Sequence, residues 1–155
     1  MKPTASFKGQ QRLRLGRFSQ SGGIYHVISS THQRSPLFLD FVLAQTAIRA
    51  FTDMRLLKQN QLLCWVLMPD HVHWLVQLDQ QSNLSKLIGV MKSASARQIR
   101  QKGYALKVWG DGFYDRALRR NDDVRQVARY IVANPLRANM VTQINDYPYW
   151  NAVWL

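Results

Sequence analysis

Cysteine and acid are what this sequence has least of, and both shortages narrow what it can be. Cys64 is its one cysteine, so no disulfide and no thiolate metal site can form within the chain. Set in the apolar run Leu62-Leu63-Cys64-Trp65-Val66-Leu67, it reads as a core residue, since unpaired cysteine packs as a small hydrophobe. Asp and Glu number 9 against 21 Lys and Arg, which leaves a formal net charge of +12 and a pI near 10.5. Such an imbalance calls for an anionic partner. Nucleic acid is the commonest one, because each neutralised phosphate releases condensed counterions. Long apolar runs are missing too. No stretch approaches the ~18 consecutive apolar residues that span a bilayer, and the start lacks the apolar core of a signal peptide. No membrane partner is expected, and the expected location is the cytoplasm. Internal repeats and low-complexity stretches are also absent.

What is present suits one core. A chain of 155 residues, 46% of them hydrophobic, can bury most of its apolar surface once but is too short for two ordinary domains, so residues 1–155 read as one domain. Residues 1–20 stand apart within it. They carry Lys2, Lys8, Arg12, Arg14 and Arg17 with no acid, the first of which is Asp40, and their apolar residues show no period. A basic arm is predicted, either ordering on nucleic acid or staying solvated.

Beyond Gly22-Gly23, residues 24–30 are rich in aromatic and β-branched side chains and predict a strand. Over residues 39 to about 58 the apolar positions recur at steps of three and four, the mark of an amphipathic helix. Two apolar runs, 62–68 and 71–78, flank the pair Pro69-Asp70, which predicts a hairpin with a tight turn. A second helix is expected from about 83 to 102, capped by Ser82 or Asn83 and ended by Gly103, with Lys86, Lys92, Arg97 and Arg100 on its polar face. Residues 108–109 and 113–118 predict a fourth strand around the irregular Gly110 and Gly112. A third helix follows, capped by Asn121, with Asp122 and Asp123 in its first turn and Pro135 limiting its end. The order strand, helix, strand, strand, helix, strand, helix points to an α+β, ferredoxin-like fold of the split βαβ kind. Its four-stranded, mostly antiparallel sheet would carry the crossover helices on one face and leave the other for a ligand, and its C-terminal helix would carry Tyr130.

His71 and His73 are one residue apart on a predicted strand, so period-two alternation aims both imidazoles at one face, ~7 Å apart at Cα, and Val72 and Trp74 at the other. Such a pair can converge on one ion, or can simply hydrogen-bond each other or the backbone. On the third helix Val124, Val127, Ala128 and Ile131 trace the apolar stripe and Tyr130 falls beside it. Asn134, one turn beyond Tyr130, could offer its carbonyl oxygen to a metal, although Pro135 disfavours helical geometry there. His26 reads first as a packed or hydrogen-bonded histidine and second as a further ligand. Asp70 reads as a turn residue that could also bond an imidazole, and Asp115 is open. Candidate DNA contacts are Arg12, Arg14 and Arg17 in the arm, Lys92 and Arg97 on the second helix, and Arg116, Arg119, Arg120 and Arg137 near the tyrosine.

The segments Cys64-Trp65-Val66-Leu67-Met68-Pro69-Asp70-His71-Val72-His73-Trp74-Leu75 and Arg129-Tyr130-Ile131-Val132-Ala133-Asn134-Pro135-Leu136-Arg137-Ala138 resemble the REP-associated tyrosine transposases, single-tyrosine members of the HUH endonuclease superfamily. Residues 15–19, 24–27, 109–119 and 146–148 extend the resemblance over nearly the whole chain. It implies that His71 and His73 hold a divalent ion, that Asn134 is the polar third ligand, and that Tyr130 attacks the phosphate to leave a 5′-phosphotyrosyl link. It also implies a substrate of single-stranded or hairpin-forming REP DNA at the bacterial nucleoid. With two imidazoles and an amide oxygen, either Mg²⁺ or Mn²⁺ suits the site. A monomer is expected over a homodimer. One departure is visible: Asn139 stands where the family pattern has glycine, a replacement that tolerates positive φ. The rival reading from the residues alone is a non-catalytic, single-stranded nucleic-acid-binding module of RNA-recognition architecture, stacking bases on Tyr25, Trp74 or Tyr114. A metal-dependent hydrolase of small phosphates fits the charge less well.

Overall fold

The computed structural model describes residues 22–154. The basic arm, with Arg12, Arg14 and Arg17, lies outside the described residues. Among the described residues five strands form one sheet: β1 Ile24–Ser30, β2 Gln61–Met68, β3 His71–Gln77, β4 Tyr114–Ala117 and β5 Trp150–Ala152. Their order is β4-β1-β3-β2-β5, and every neighbouring pair is antiparallel. The first four are the split βαβ order expected of a ferredoxin-like fold, and the fold class stands. The strand count does not: β5, three residues long, adds a fifth strand beside β2. So short a segment carries too few alternations to announce itself in sequence.

β1 alternates buried and half-buried residues along its whole length, and the β2–β3 hairpin turns on Pro69-Asp70 with Met68 opposite His71. The first helical segment is not continuous. α1 Phe41–Phe51 begins at Asp40, whose carboxylate accepts the Leu43 N–H at 3.1 Å. The chain then breaks, and Asp53 caps a new turn, α2 Met54–Leu57, by accepting the Arg55 N–H at 2.9 Å. A capping carboxylate offers the backbone an alternative to the next helical bond, and here that alternative wins. α3 Leu84–Gln101 runs as expected, from Asn83, which accepts the Lys86 N–H at 2.8 Å, to Gly103 at φ 96°.

The fourth strand is shorter than expected. Trp109 makes an isolated bridge to Thr31, and Gly110 passes so close to β1 that a Cβ there would lie 3.3 Å from the Ser30 carbonyl oxygen. α4 Val124–Val132 is capped by Asp123, not Asn121: one Asp123 oxygen accepts from the Arg125 and Gln126 N–H groups at 3.0 and 3.2 Å. Asp122 instead closes the preceding turn by accepting the Arg119 N–H at 2.7 Å. After Ala133 a separate turn, α5 Asn134–Arg137, starts on Asn134, with Pro135 next to it in the first turn where its missing N–H is harmless. Asn139, at φ 57°, ends that turn, and the Met140 and Asn139 N–H groups reach back to the Pro135 and Leu136 carbonyls at 2.9 and 3.0 Å. This is the paired bonding of a helix ended by a left-handed residue, so asparagine serves where glycine was expected.

The two faces of the sheet are treated differently. Tyr25, Val27, Trp65, Leu67, Val72, Trp74 and Val76 meet α1 and α3 in the larger core. On the opposite face Cys64, Val66, Met68 and Leu75 are covered by Ala128 and Ile131 of α4 and by Tyr147. Cys64 is therefore buried, as its apolar run predicted. The second face is only partly free: α4 occupies its β2 side and leaves His26, Ile28 and the paired histidines of β3 beside it.

Candidate active site

Alternation along β3 puts Val72, fully buried, on the helix-covered face and His71 and His73 on the other. Their ring centroids are 5.0 Å apart. His26 of β1 lies diagonally across, its partner in register being Leu75, and its Nε2 is 2.9 Å from His73 Nδ1 with the rings stacked at 5.2 Å. At the end of the hairpin turn, Asp70 Oδ1 is 2.7 Å from His71 Nδ1, while Asp70 Oδ2 accepts from Arg34 Nε at 3.2 Å. Asp70 is thus both a turn residue and an anchor for the imidazole.

Burial drives the electrostatics. It pushes the His73 pKa well below the ordinary value, helped by His26, His71 and Arg137. Burial also lowers His71, against the opposing pull of Asp70, and takes His26 down to about 4, helped by Arg116 and Arg137. All three rings are neutral at pH 7, the state in which an imidazole nitrogen has a lone pair to give. Burial raises Asp70, but the hydrogen bonds and charges of His71 and Arg34 outweigh it and hold the carboxyl below its usual range.

This arrangement fits a metal. In both His71 and His73 a protein partner takes Nδ1 and leaves Nε2, which is how ligating histidines are usually held. The Asn134 Nδ2 donates to the Ile131 carbonyl at 3.1 Å, which leaves its Oδ1 as a donor atom for a cation, and α5 packs against β2, the strand beside β3. Among the described residues no group of three or more His, Cys, Asp or Glu side chains is arranged around a common point. A bound ion would have the two imidazoles and the amide oxygen as its candidate protein donors.

Tyr130 is 63% exposed, in keeping with its place beside the apolar stripe. The Arg137 guanidinium lies 3.8 Å over its ring. Tyr130, Val127 and Gln126 of α4 face His26 and Arg116, which are opposite each other on β1 and β4, across an open groove of about 380 Å³. One groove therefore brings together the tyrosine, Arg116 and a histidine bonded to His73, with Arg137 stacked on the tyrosine ring.

The remaining candidates separate. Arg119 and Arg120 are exposed just after β4, near Arg116, which pairs with Asp122 at 3.4 Å. Lys92 and Arg97 are on α3, across the sheet from Tyr130. The Lys92 ammonium donates to the Gly110 and Gly112 carbonyls, both at 2.8 Å, and so secures a loop. Asp115 sits opposite Val27, on the helix-covered face and away from the histidines. Of the stacking residues of the rival binding module, Tyr25 and Trp74 are buried beneath α1 and α3, whereas Tyr114, opposite Ile28, is half-buried on the histidine face. Sequence reasoning missed Arg34, whose contact with Asp70 follows from a turn after β1 that has no distinctive pattern.

Comparison with known proteins is decisive for the family. Residues 19–134, a span holding His71, His73, Tyr130 and Asn134, match the family model described as "Transposase IS200 like". The chain belongs to the IS200-like transposase family. A REP-associated tyrosine transposase of Escherichia coli is 28% identical over 89 residues, which cover 55% of this chain and 50% of that protein. A Haemophilus influenzae protein given the same name provisionally is 29% identical over 94 residues, covering 54% and 53%. The match thus spans about half the length of these curated relatives. Among solved structures, a REP-associated tyrosine transposase bound to a REP hairpin superposes with a TM-score of 0.70 at 23% identity, over 86% of this chain and 79% of that one. A Deinococcus radiodurans protein provisionally described as a transposase gives 0.54 at 24% identity, over 75% and 93%. At these identities the structural likeness is one of fold. Among the described residues, no helix of this IS200-like chain is long and apolar enough to cross a membrane.

Proposed function

We propose that this IS200-like transposase chain cuts and rejoins single-stranded DNA at REP-type hairpins, with Tyr130 as nucleophile and a divalent ion held by His71, His73 and Asn134. The observation that carries the reading is the shared groove: an exposed Tyr130 under Arg137 faces His26, whose ring holds His73 with Nε2 left over. In this reading Arg116 and Arg137 bind the phosphate flanking the scissile bond, and the stack of Arg137 on the phenol restricts the ring's rotation. Asp70 and His26 orient the two imidazoles. The Tyr130 oxygen bonds to phosphorus as the bond to the 3′ oxygen breaks. The phenolic proton passes to solvent, the departing 3′ oxygen takes one up, and a 5′-phosphotyrosyl link remains. One phosphodiester has replaced another, so a second DNA hydroxyl can reverse the attack and join new ends without an external energy source. A divalent ion, Mg²⁺ or Mn²⁺, held by His71, His73 and Asn134 would supply positive charge that polarises and orients the phosphate.

The test is an incubation of the protein with a single-stranded REP hairpin oligonucleotide and Mg²⁺ or Mn²⁺. A protein–DNA adduct that survives a denaturing gel is expected, absent with EDTA and absent for Tyr130→Phe. An adduct formed equally by Tyr130→Phe overturns the assignment of the nucleophile.

A further inference from the structure

α4 has a second groove along its other side. Arg125, Ala128, Arg129 and Val132 recur at helical spacing on the flank turned from Tyr130, and with Trp150, Ala152 and Trp154 at the β5 edge they line an open, mainly apolar groove of about 330 Å³. Trp150 is fixed there, its indole N–H donating to the Ile144 carbonyl at 3.2 Å, whereas Trp154 is 37% exposed. Arg34, Arg55 and Arg116 each pair with a carboxylate, but among the described residues neither the Arg125 nor the Arg129 side chain has an acidic partner. Two uncompensated cations thus rim a pocket floored by aromatic and aliphatic surface.

We propose that this second groove is a binding subsite for an unpaired nucleotide of the same DNA strand, its base stacked on Trp154 and its phosphates on Arg125 and Arg129. A base offers an apolar face and a phosphate an adjacent negative charge, the combination that single-strand sites meet with an aromatic ring beside basic side chains. The position suits a continuous strand. The two grooves lie on opposite flanks of one helix, and a helix with its side chains is about 10–12 Å thick, roughly three nucleotides at the ~3.4 Å spacing of a stacked strand. A strand whose phosphate sits at Tyr130 would cross α4 and seat a base beyond it. The subsite rests on the reading that the Tyr130 groove takes single-stranded DNA, and it adds a grip on the flank outside the cleavage point.

The experiment measures binding, not cleavage. Hairpin oligonucleotides with 5′ or 3′ thymidine tails lengthened one nucleotide at a time are titrated against the full chain in EDTA, with fluorescence anisotropy as readout. For one of the two tails, affinity should rise about tenfold once the tail reaches past α4, and Trp154→Ala should lose that step while binding tailless hairpins as before. Trp154→Phe, which keeps a stacking face, should restore it. The double variant Arg125→Gln, Arg129→Gln should flatten the slope of log affinity against log salt by about 1.4, the contribution of two single-strand phosphates. An equal step in wild type and Trp154→Ala overturns the subsite, as does a change in oligomeric state on sedimentation in place of a change in tail binding. A Trp154-dependent step in a protein that forms no Tyr130 adduct leaves the subsite standing and removes the proposed chemistry. An adduct without the step does the reverse.

Discussion

His73 is the most constrained residue of the site, buried on β3 and touched by a second imidazole. The spacing of His71 and His73 makes them share a face because strand side chains alternate, and that much is legible in a linear text. Which nitrogen each presents is not, because the partners of Nδ1 come from β1 and from the hairpin turn. If Asp70 and His26 orient the two rings, removing either should loosen the ion without removing a ligand. Asp70→Asn and His26→Ala are each expected to weaken Mn²⁺ binding about 10- to 100-fold, measured by titration calorimetry, with circular dichroism unchanged. An unaltered affinity would mean that these contacts do not support metal binding. Tyr130 was legible for a simpler reason: on a helix whose apolar stripe is known, a tyrosine off the stripe faces outward. Its stack beneath Arg137 needed α5 to fold back, and no periodicity encodes that.

At the scale of elements, caps decided where helices begin and end. Three acidic side chains, Asp40, Asp53 and Asp123, each accept backbone N–H groups at a helix start. The sequence signals for them were ambiguous because Asn121, Asp122 and Asp123 all have capping chemistry, and only the turn closed by Asp122 selects the third. Asp123→Ala should destabilise the protein by about 1 kcal/mol, read as a fall in the denaturation midpoint, whereas Asn121→Ala should leave it nearly unchanged. The turn after α5 makes a second case. Asn139 holds a left-handed backbone, so Asn139→Gly should be tolerated, while the β-branched Asn139→Val should lose about 1–2 kcal/mol in the same assay.

Across the whole molecule, charge and burial set the response to solution conditions. His26 has a folded-state pKa of about 4 against 6.5 unfolded, because burial opposes its charging. Below pH 6.5 the unfolded chain therefore binds a proton that the folded chain refuses. Stability is fully present above that pH and falls as pH drops from 6.5 towards 4, by about 3 kcal/mol from His26. His71 and His73 shift in the same direction and act with the same sign. Thermal melts in EDTA should show the midpoint dropping across this window, and a midpoint flat from pH 7 to 4.5 would contradict the buried, neutral histidine face. The excess of 21 basic over 9 acidic residues also makes DNA affinity fall steeply with salt.

The sequence by itself determined the alternation and helical periods, and hence the succession of the four longer strands and the main helices along the chain, the helix-borne Tyr130 and the shared face of His71 and His73. These follow from local geometry, in which each residue's direction depends on near neighbours. Only the tertiary structure decided that α4 lies on the histidine face over β2, that β5 widens the sheet beside it, and that His26, Arg34 and Arg137 complete the site. The Arg34 and His26 contacts join residues 36 and 47 positions apart. The reason is physical: which surfaces meet depends on the packing of the whole apolar core, and no short window of sequence contains that information.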